Sequence, residues 1–271
     1  QYMIWAGFMP GSQGLFGLIQ GNFGWSFEFD RPVAEIVGDA LWLTVLVNLA
    51  AVLFVYAVAL PLGVLAAAKS ETWVDYTAGF VGYLGLATPN FLLALILFYY
   101  GHKYFDLPIG GLMAPELEGE PMSWEKVKSI LIHLIVPTFV IGTSGAAAMM
   151  QRLRANMLDE LSKPYVETAI AKGMKPSKML RKYPLRMAFN PFVADIGNLL
   201  PAMISGSVLV SVVLGLQTIG PYLLTALKSQ DQFLAAFVLM FVALLTLIGT
   251  MISDVLLMLL DPRIRMGGRE T

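Results

Sequence analysis

The chain has 271 residues, of which 57% are hydrophobic and only 14% charged, and its mean hydropathy is +0.69. A soluble domain carries about 25% charged residues, so much of this surface must face something other than water, and 18 Lys+Arg against 19 Asp+Glu leave no basic face for nucleic acid. The absence of cysteine excludes a disulfide framework, a thiolate metal site and a cysteine nucleophile, and two histidines (His102 and His133) are too few for a histidine metal cluster.

An all-α integral membrane protein is expected, a polytopic bundle of transmembrane helices. In chain order, residues 1–40 form a segment ahead of the first charge-free run. The chain opens on Gln1, and no basic, apolar export signal precedes the segment. A further span ahead of it is therefore expected, six in the full protein. Residues 41–271 form the membrane domain. Its charge-free runs are Leu41–Ala68, Tyr76–Gly101, Ser129–Gln151, Ile196–Leu227 and Gln232–Ser253, the last extending past Asp254 to Leu260. About 20 apolar residues cross a bilayer as helix, the form that satisfies its own backbone there. The runs lack the strict alternation of a barrel strand, so five helical spans are predicted. Pro61, Pro89, Pro137 and Pro201 fall within them, and small residues gather at Gly142–Ala148 and Ser205–Ser207, which suits close helix contacts. Trp42, Trp73, Tyr99, Tyr100, Tyr104 and Tyr222 are placed for interfacial belts.

Between the third and fourth runs lies a basic loop, residues 151–191, with Arg152, Arg154, Lys163, Lys172, Lys175, Lys178, Arg181, Lys182 and Arg186. Lys69, Arg263, Arg265 and Arg269 fall on the same side. The opposite side has Arg31, Lys103, Lys126, Lys128 and Lys228 among the acids Asp106, Glu116, Glu118, Glu120 and Glu125. The positive-inside bias makes the loop and the carboxyl terminus cytoplasmic and residues 1–40 external.

Within the loop, Ser162–Gly173 reads as a short helix. Ser162 is its expected cap, Pro164 is tolerated in the first turn, Glu167 complements the dipole and Gly173 is a left-handed terminator. A second helix is predicted from Pro176 to about Lys182, before Pro184. Val166, Ala169 and Ile170 share one face, too short for a core of its own and expected to dock on a partner or on the bundle base. Asp195 and Asp254, the ionisable residues of the apolar runs, are candidate intramembrane polar sites. Each is only a few turns from the cytoplasmic edge, so packing and transport roles both stay open. His133 is read as a hydrogen-bonded bundle residue.

The loop resembles a known signature. Glu167-Thr-Ala169, then Gly173, then Tyr183-Pro-Leu-Arg186 is similar to the loop of binding-protein-dependent ABC importer permeases. The forms Tyr165-Val-Glu-Thr-Ala-Ile-Ala-Lys-Gly173 and Leu185-Arg-Met-Ala-Phe-Asn-Pro191 resemble the oligopeptide/dipeptide (peptide/nickel) subgroup. Gly21-Asn-Phe-Gly-Trp-Ser26, Arg31-Pro-Val33, Leu60-Pro-Leu-Gly63, Asp75, Thr88-Pro-Asn-Phe91 and Asp261-Pro-Arg-Ile264 also fit, so the likeness covers nearly the whole chain. It departs at Ser211-Val-Val-Leu214 and Gln217-Thr-Ile-Gly220.

The resemblance implies a type I ABC importer permease in a bacterial cytoplasmic (inner) membrane. Tyr165, Glu167, Thr168, Ala169, Lys172, Gly173, Leu185 and Arg186 would form its ATPase-coupling loop. The implied partners are a second related permease, two cytoplasmic ATPase subunits and an external solute-binding protein. No Gly-x-x-x-x-Gly-Lys-Ser/Thr phosphate cradle is present, so this chain is expected to bind no cofactor and to be no enzyme, with ATP used by the partner subunits. Oligopeptide or dipeptide import is the leading cargo, and oligosaccharide or nickel import by the same architecture is second. A secondary transporter would show an internal repeat with midplane polar sites, and no repeat is visible. An intramembrane aspartyl protease would use Asp195 and Asp254, but their flanks, Ala194-Asp195 and Ser253-Asp254, lack the pattern of such enzymes.

Overall fold

The computed structural model describes residues 3, 7–9, 17–105 and 108–260. Asp106, the motif Asp261-Pro-Arg-Ile264 and the tail cations Arg263, Arg265 and Arg269 lie outside the described residues, as does the side chain of Asp195.

A short antiparallel hairpin comes first, with Trp25 (β1, Trp25–Ser26) opposite Pro32 (β2, Arg31–Pro32). Helix α1, Val33–Ala68, follows directly and has 36 residues. At about 1.5 Å per residue it is roughly 54 Å long, well beyond a hydrocarbon core of about 30 Å. Its first turns accordingly pack on the hairpin end of the molecule: Val33, Ile36, Val37 and Ala40 are buried with Ile219, Leu234 and Phe237. Pro61 sits inside α1 without ending it.

The second charge-free run is not one straight helix. It forms α2 (Trp73–Ala87) and α3 (Asn90–Phe105), bent by 94°. Pro89 has no N–H for the carbonyl four residues back, and it drives the preceding residue out of helical space. Thr88 has φ −85° and ψ 116°.

Helix α4, Trp124–His133, is capped by Ser123, whose hydroxyl accepts the Lys126 N–H at 3.2 Å. Nearly in line with it, α5 covers Ile135–Leu161. Three short helices then fill the basic loop: α6 (Pro164–Ala171), α7 (Pro176–Lys182) and α8 (Pro184–Ala188). Helix α9, Asn190–Val213, returns through the bundle. The fourth charge-free run is thus divided as well, since a turn after Val213 leads to α10 (Ile219–Ser229). The last helix, α11, covers Gln232–Leu260. Val33–Ala68, Trp124–Leu161 and Gln232–Leu259 are each long and apolar enough to cross a membrane, and the bent pair α2–α3 makes a fourth candidate. Helix α9 contributes a shorter apolar stretch, Ala202–Val213.

Lipid offers no hydrophobic drive for helices to associate, so close packing of small residues has to hold the bundle. The α1–α5 contact shows this. A Cβ on Gly63 would lie 3.0 Å from the Met150 carbonyl oxygen and 3.0 Å from the Leu153 Cβ. Further along, Gly142 and Gly145 meet Phe54 and Val55 in the same way. The two helices run side by side and both end at the basic loop. Phe80, Val81 and Leu84 on α2 and Leu244, Leu247, Met251 and Val255 on α11 are exposed apolar side chains, as a lipid-facing surface requires. Trp42, Trp73, Tyr99, Tyr100 and Tyr104 are exposed as a belt would be, whereas Tyr222 packs edge-on to Phe29 at 5.7 Å.

Candidate functional site

The basic loop folds as a unit. Lys163 precedes α6 in extended conformation and Pro164 takes its first position; Lys163, not the expected Ser162, is the N-cap, with no side-chain cap bond. The Ser162 hydroxyl instead donates to the Asp159 carbonyl at the end of α5, 2.9 Å away. At the other end, Gly173 has φ +74°, its N–H donates to the Ile170 carbonyl at 2.8 Å, and the Met174 N–H reaches the Ala169 carbonyl at 3.2 Å. This paired closure needs the left-handed residue that glycine supplies. Helix α7 occupies the predicted Pro176–Lys182.

The face containing Val166 and Ala169 does have a core of its own. Both are buried against Met179 of α7, with Leu161, Tyr165, Met174, Leu180 and Tyr183 around them. Ile170 does not join them and is 58% exposed. The expectation that this face docks elsewhere is therefore corrected: the α6–α7 turn folds back and covers it. What remains outward is a strip of exposed residues, Glu167, Thr168, Ile170, Lys172 and Gly173. Tyr165 and Leu185 are half-buried, Ala169 is buried and Arg186 is exposed. So the residues expected to couple divide into an inner set that shapes the unit and an outer set that is exposed.

The unit is also fixed to its parent helix. Glu160 accepts from Lys163 Nζ at 2.6 Å and from the Tyr165 hydroxyl. Burial, and then the bond to this carboxylate, push the Tyr165 phenol up to about 12. It stays protonated and donating across the physiological range. Glu160 carries no motif signal, and its place four residues before α6 is the one trace of it in the sequence.

Just above the loop, Asp75 of α2 meets Arg154 of α5 in a two-bond pair, Nε–Oδ1 at 2.5 Å and Nη2–Oδ2 at 2.7 Å. Asp75 is 4% exposed and also accepts the Glu71 N–H at 3.0 Å. Sequence reading had Asp75 as a motif position and Arg154 as one more loop cation, and the structure brings them together. Asp254 is exposed on α11, while its neighbour Ser253 is buried and donates to the Val193 and Ala194 carbonyls of α9. His133 Nδ1 lies 2.8 Å from the Ser129 carbonyl, the bundle role expected of it.

A buried polar seam crosses the opposite half of the bundle. Thr218 donates to Ser211 at 3.0 Å, and the Ile219 N–H donates to the Thr44 hydroxyl at 2.9 Å. Asn48 donates to the Thr44 carbonyl at 2.8 Å, and among the described residues its own Oδ1 has no hydrogen-bond partner. Ser211 and Thr218 are where the sequence departs from the subgroup pattern, and here they satisfy each other.

The model of the family described as binding-protein-dependent transport system inner membrane component matches residues 59–266, from the last third of α1 to beyond α11. The chain belongs to that family. The permease is 32% identical over 266 residues to the oligopeptide transport system permease protein AppB of Bacillus subtilis, covering 97% of this chain and 79% of that protein. It is 30% identical to the inner membrane ABC transporter permease protein YejB of Escherichia coli O157:H7, over 94% of this chain and 71% of that one. With the dipeptide transport system permease protein DppB of Escherichia coli K12 it shares 26% identity, over 93% and 79%. The permease is thus a multi-pass membrane subunit of a transport system and is itself non-catalytic, and its family implies ATPase and binding-protein partners in general.

On the face away from the loop, Asp231 ties the permease's hairpin to the bundle. It is 1% exposed and sits immediately before α11, accepting the Leu234 N–H at 3.2 Å, the Glu28 N–H at 3.3 Å and the Ser26 hydroxyl at 2.5 Å. Burial alone would raise this carboxyl, but the Ser26 hydroxyl and the Leu234, Glu28 and Phe27 amides hold it below the ordinary 3.8. A carboxylate depressed on folding adds stability above its unfolded value and loses it as pH falls through the folded one. The hairpin should therefore stay attached at about pH 5 and loosen only below 3.8. Pepsin cleavage at Phe27 and Phe29, normalised to an unfolded substrate, checks this. Asp231→Ala should be cleaved readily already at the higher pH.

Proposed function

We propose that this permease imports oligopeptides or dipeptides across a bacterial cytoplasmic membrane, paired with a second related permease, two ATPase subunits and an external solute-binding protein. ATP is bound and hydrolysed by those partner subunits. The peptide cargo is supported by the names of the relatives, which are oligopeptide and dipeptide permeases. The observation that carries the mechanism is the loop unit itself. Its core is closed by Val166, Ala169 and Met179, and Glu167, Thr168, Ile170, Lys172 and Gly173 stand outward on it. An apolar side chain left outward among charges, on a unit that needs no further packing, fits a surface covered by a partner.

In this reading the loop and the carboxyl terminus face the cytoplasm, and residues 1–40 lie outside ahead of the permease domain 41–271. ATPase closure presses on α6, and Glu160 and the Asp75–Arg154 pair carry that movement into α5 and α2. The chain has no cysteine, so single cysteines report cleanly. Glu118→Cys should react with an impermeant thiol reagent applied to intact cells and Lys175→Cys should not. The assembled complex should accumulate a labelled peptide on addition of ATP and loaded binding protein. Reaction of Lys175→Cys from outside would reverse the orientation, and a complex that hydrolyses ATP but accumulates no peptide would overturn the cargo.

A further inference from the structure

Where α2 and α3 part, the bundle holds a cavity of about 290 Å³. Thr88 and Asn90 of the break, Ser144 of α5 and Gly206 of α9 are among the residues that line it. Ser144 lies near the midpoint of the 38-residue helical run Trp124–Leu161, so the cavity is at membrane depth. Irregular backbone and free polar groups are stable at that depth only against protein or water, because lipid cannot satisfy them.

The groups left free there are of both kinds. The Thr88 hydroxyl donates to the Leu84 carbonyl at 2.8 Å and keeps an accepting lone pair. Among the described residues, no protein hydrogen bond engages the Asn90 carboxamide or the Ser144 hydroxyl. The Leu92 and Leu93 N–H groups both close on the Pro89 carbonyl at 3.0 Å, and among the described residues no backbone carbonyl takes the Asn90 or Phe91 N–H. Gly206 is exposed at the same level and, beside the apolar Leu209, leaves part of the α9 wall without a side chain. Among the described residues no carboxylate, imidazole or thiol lines the space, and these provide no ligand set for a metal ion.

We infer that Thr88, Asn90 and Ser144 line the cargo path and take the backbone of an extended peptide, their amide and hydroxyl groups standing in for water along its N–H and C=O groups. The inference rests on the importer reading and names the place where that cargo is touched. Neutral donors and acceptors recognise the peptide unit and not its side chains. Such a site holds many sequences weakly and leaves selection to the binding protein.

The test uses Asn90→Cys and Ser144→Cys, the latter nearly isosteric, in the full complex in vesicles. Leu95→Cys, on the exposed apolar side of α3, serves as the lipid-facing reference. A small water-soluble thiol reagent should modify Asn90→Cys and Ser144→Cys roughly tenfold faster than Leu95→Cys, since reaction needs a hydrated thiolate. ATP with peptide-loaded binding protein should slow that modification, and Asn90→Leu should raise the KM for uptake roughly three- to tenfold, the range for one lost hydrogen bond. The inference is overturned if both cysteines stay silent with and without ATP while Glu118→Cys reacts. It is equally overturned if they react at a rate indifferent to peptide in vesicles that accumulate it. Peptide uptake by the cysteine-free parent is measured alongside, so loss of the importer reading shows there first and separately from loss of this site.

Discussion

Glu167→Lys should cut peptide uptake roughly tenfold or more, the effect expected of reversing a charge at an interface, while the permease keeps its level in the membrane. The Glu167 side chain is exposed on α6 and makes no contribution to the Val166–Ala169–Met179 core, so the loop unit should keep its shape. Gly173→Asp should act alike. Its φ of +74° penalises a side chain, but a Cβ there meets nothing within 4 Å. The strain is therefore local, roughly 1 kcal/mol, too small to unfold the bundle. In the purified complex, ATP hydrolysis should no longer respond to loaded binding protein. Normal uptake by both variants at normal membrane level would leave the outer strip of α6 without a role.

The second large effect is on stability. Asp75→Ala strands the Arg154 guanidinium and Arg154→Ala strands a carboxylate that is 4% exposed. Breaking a buried pair from one side costs about 3–5 kcal/mol, and Arg154 at 30% exposure keeps water enough to place this pair at the lower end, about 3 kcal/mol. Each single change should lower the thermal midpoint in detergent and the membrane level. Replacing both partners with apolar residues, Asp75→Leu with Arg154→Met, should recover most of the loss, because no charge is then left alone. Unchanged midpoints for the single variants would show that the pair does not clamp α2 to α5.

Much of this was legible in the sequence because it is local. Charge-free runs mark helices in a medium where only internal hydrogen bonds are available. Pro164, Gly173, Pro176 and Pro184 each punctuate the chain through their own backbone chemistry, so α7 has its predicted bounds, while α6 begins at Pro164 after Lys163 and not at Ser162. Direction is different. Composition shows that Tyr76–Gly101 is apolar but not that it bends by 94°, although Pro89 held the cause. Pairings between distant residues leave no periodic trace: Asp75 and Arg154 are 79 residues apart and Ser26 and Asp231 are 205 apart. The closed core of the loop leaves no such trace either, since Met179 belongs to a different helix from the face it covers.

Helix α5 joins the two ends of this design without interruption from Ile135 to Leu161. One end is clasped to the loop unit through Glu160, and the cavity residue Ser144 lies part-way along. A stiff rod pivoting at its far end scales down whatever its driven end does. By residue spacing, Ser144 would travel roughly a third as far as Leu161 at constant rise. A loop displacement of a few ångströms thus arrives at the cavity as a sub-van-der-Waals adjustment, fine enough to break hydrogen bonds to a peptide without tearing the helices apart. The gearing follows from where along α5 the polar contact is mounted. Moving Ser144 one turn toward the loop would lengthen the stroke at the cargo, and one turn the other way would shorten it.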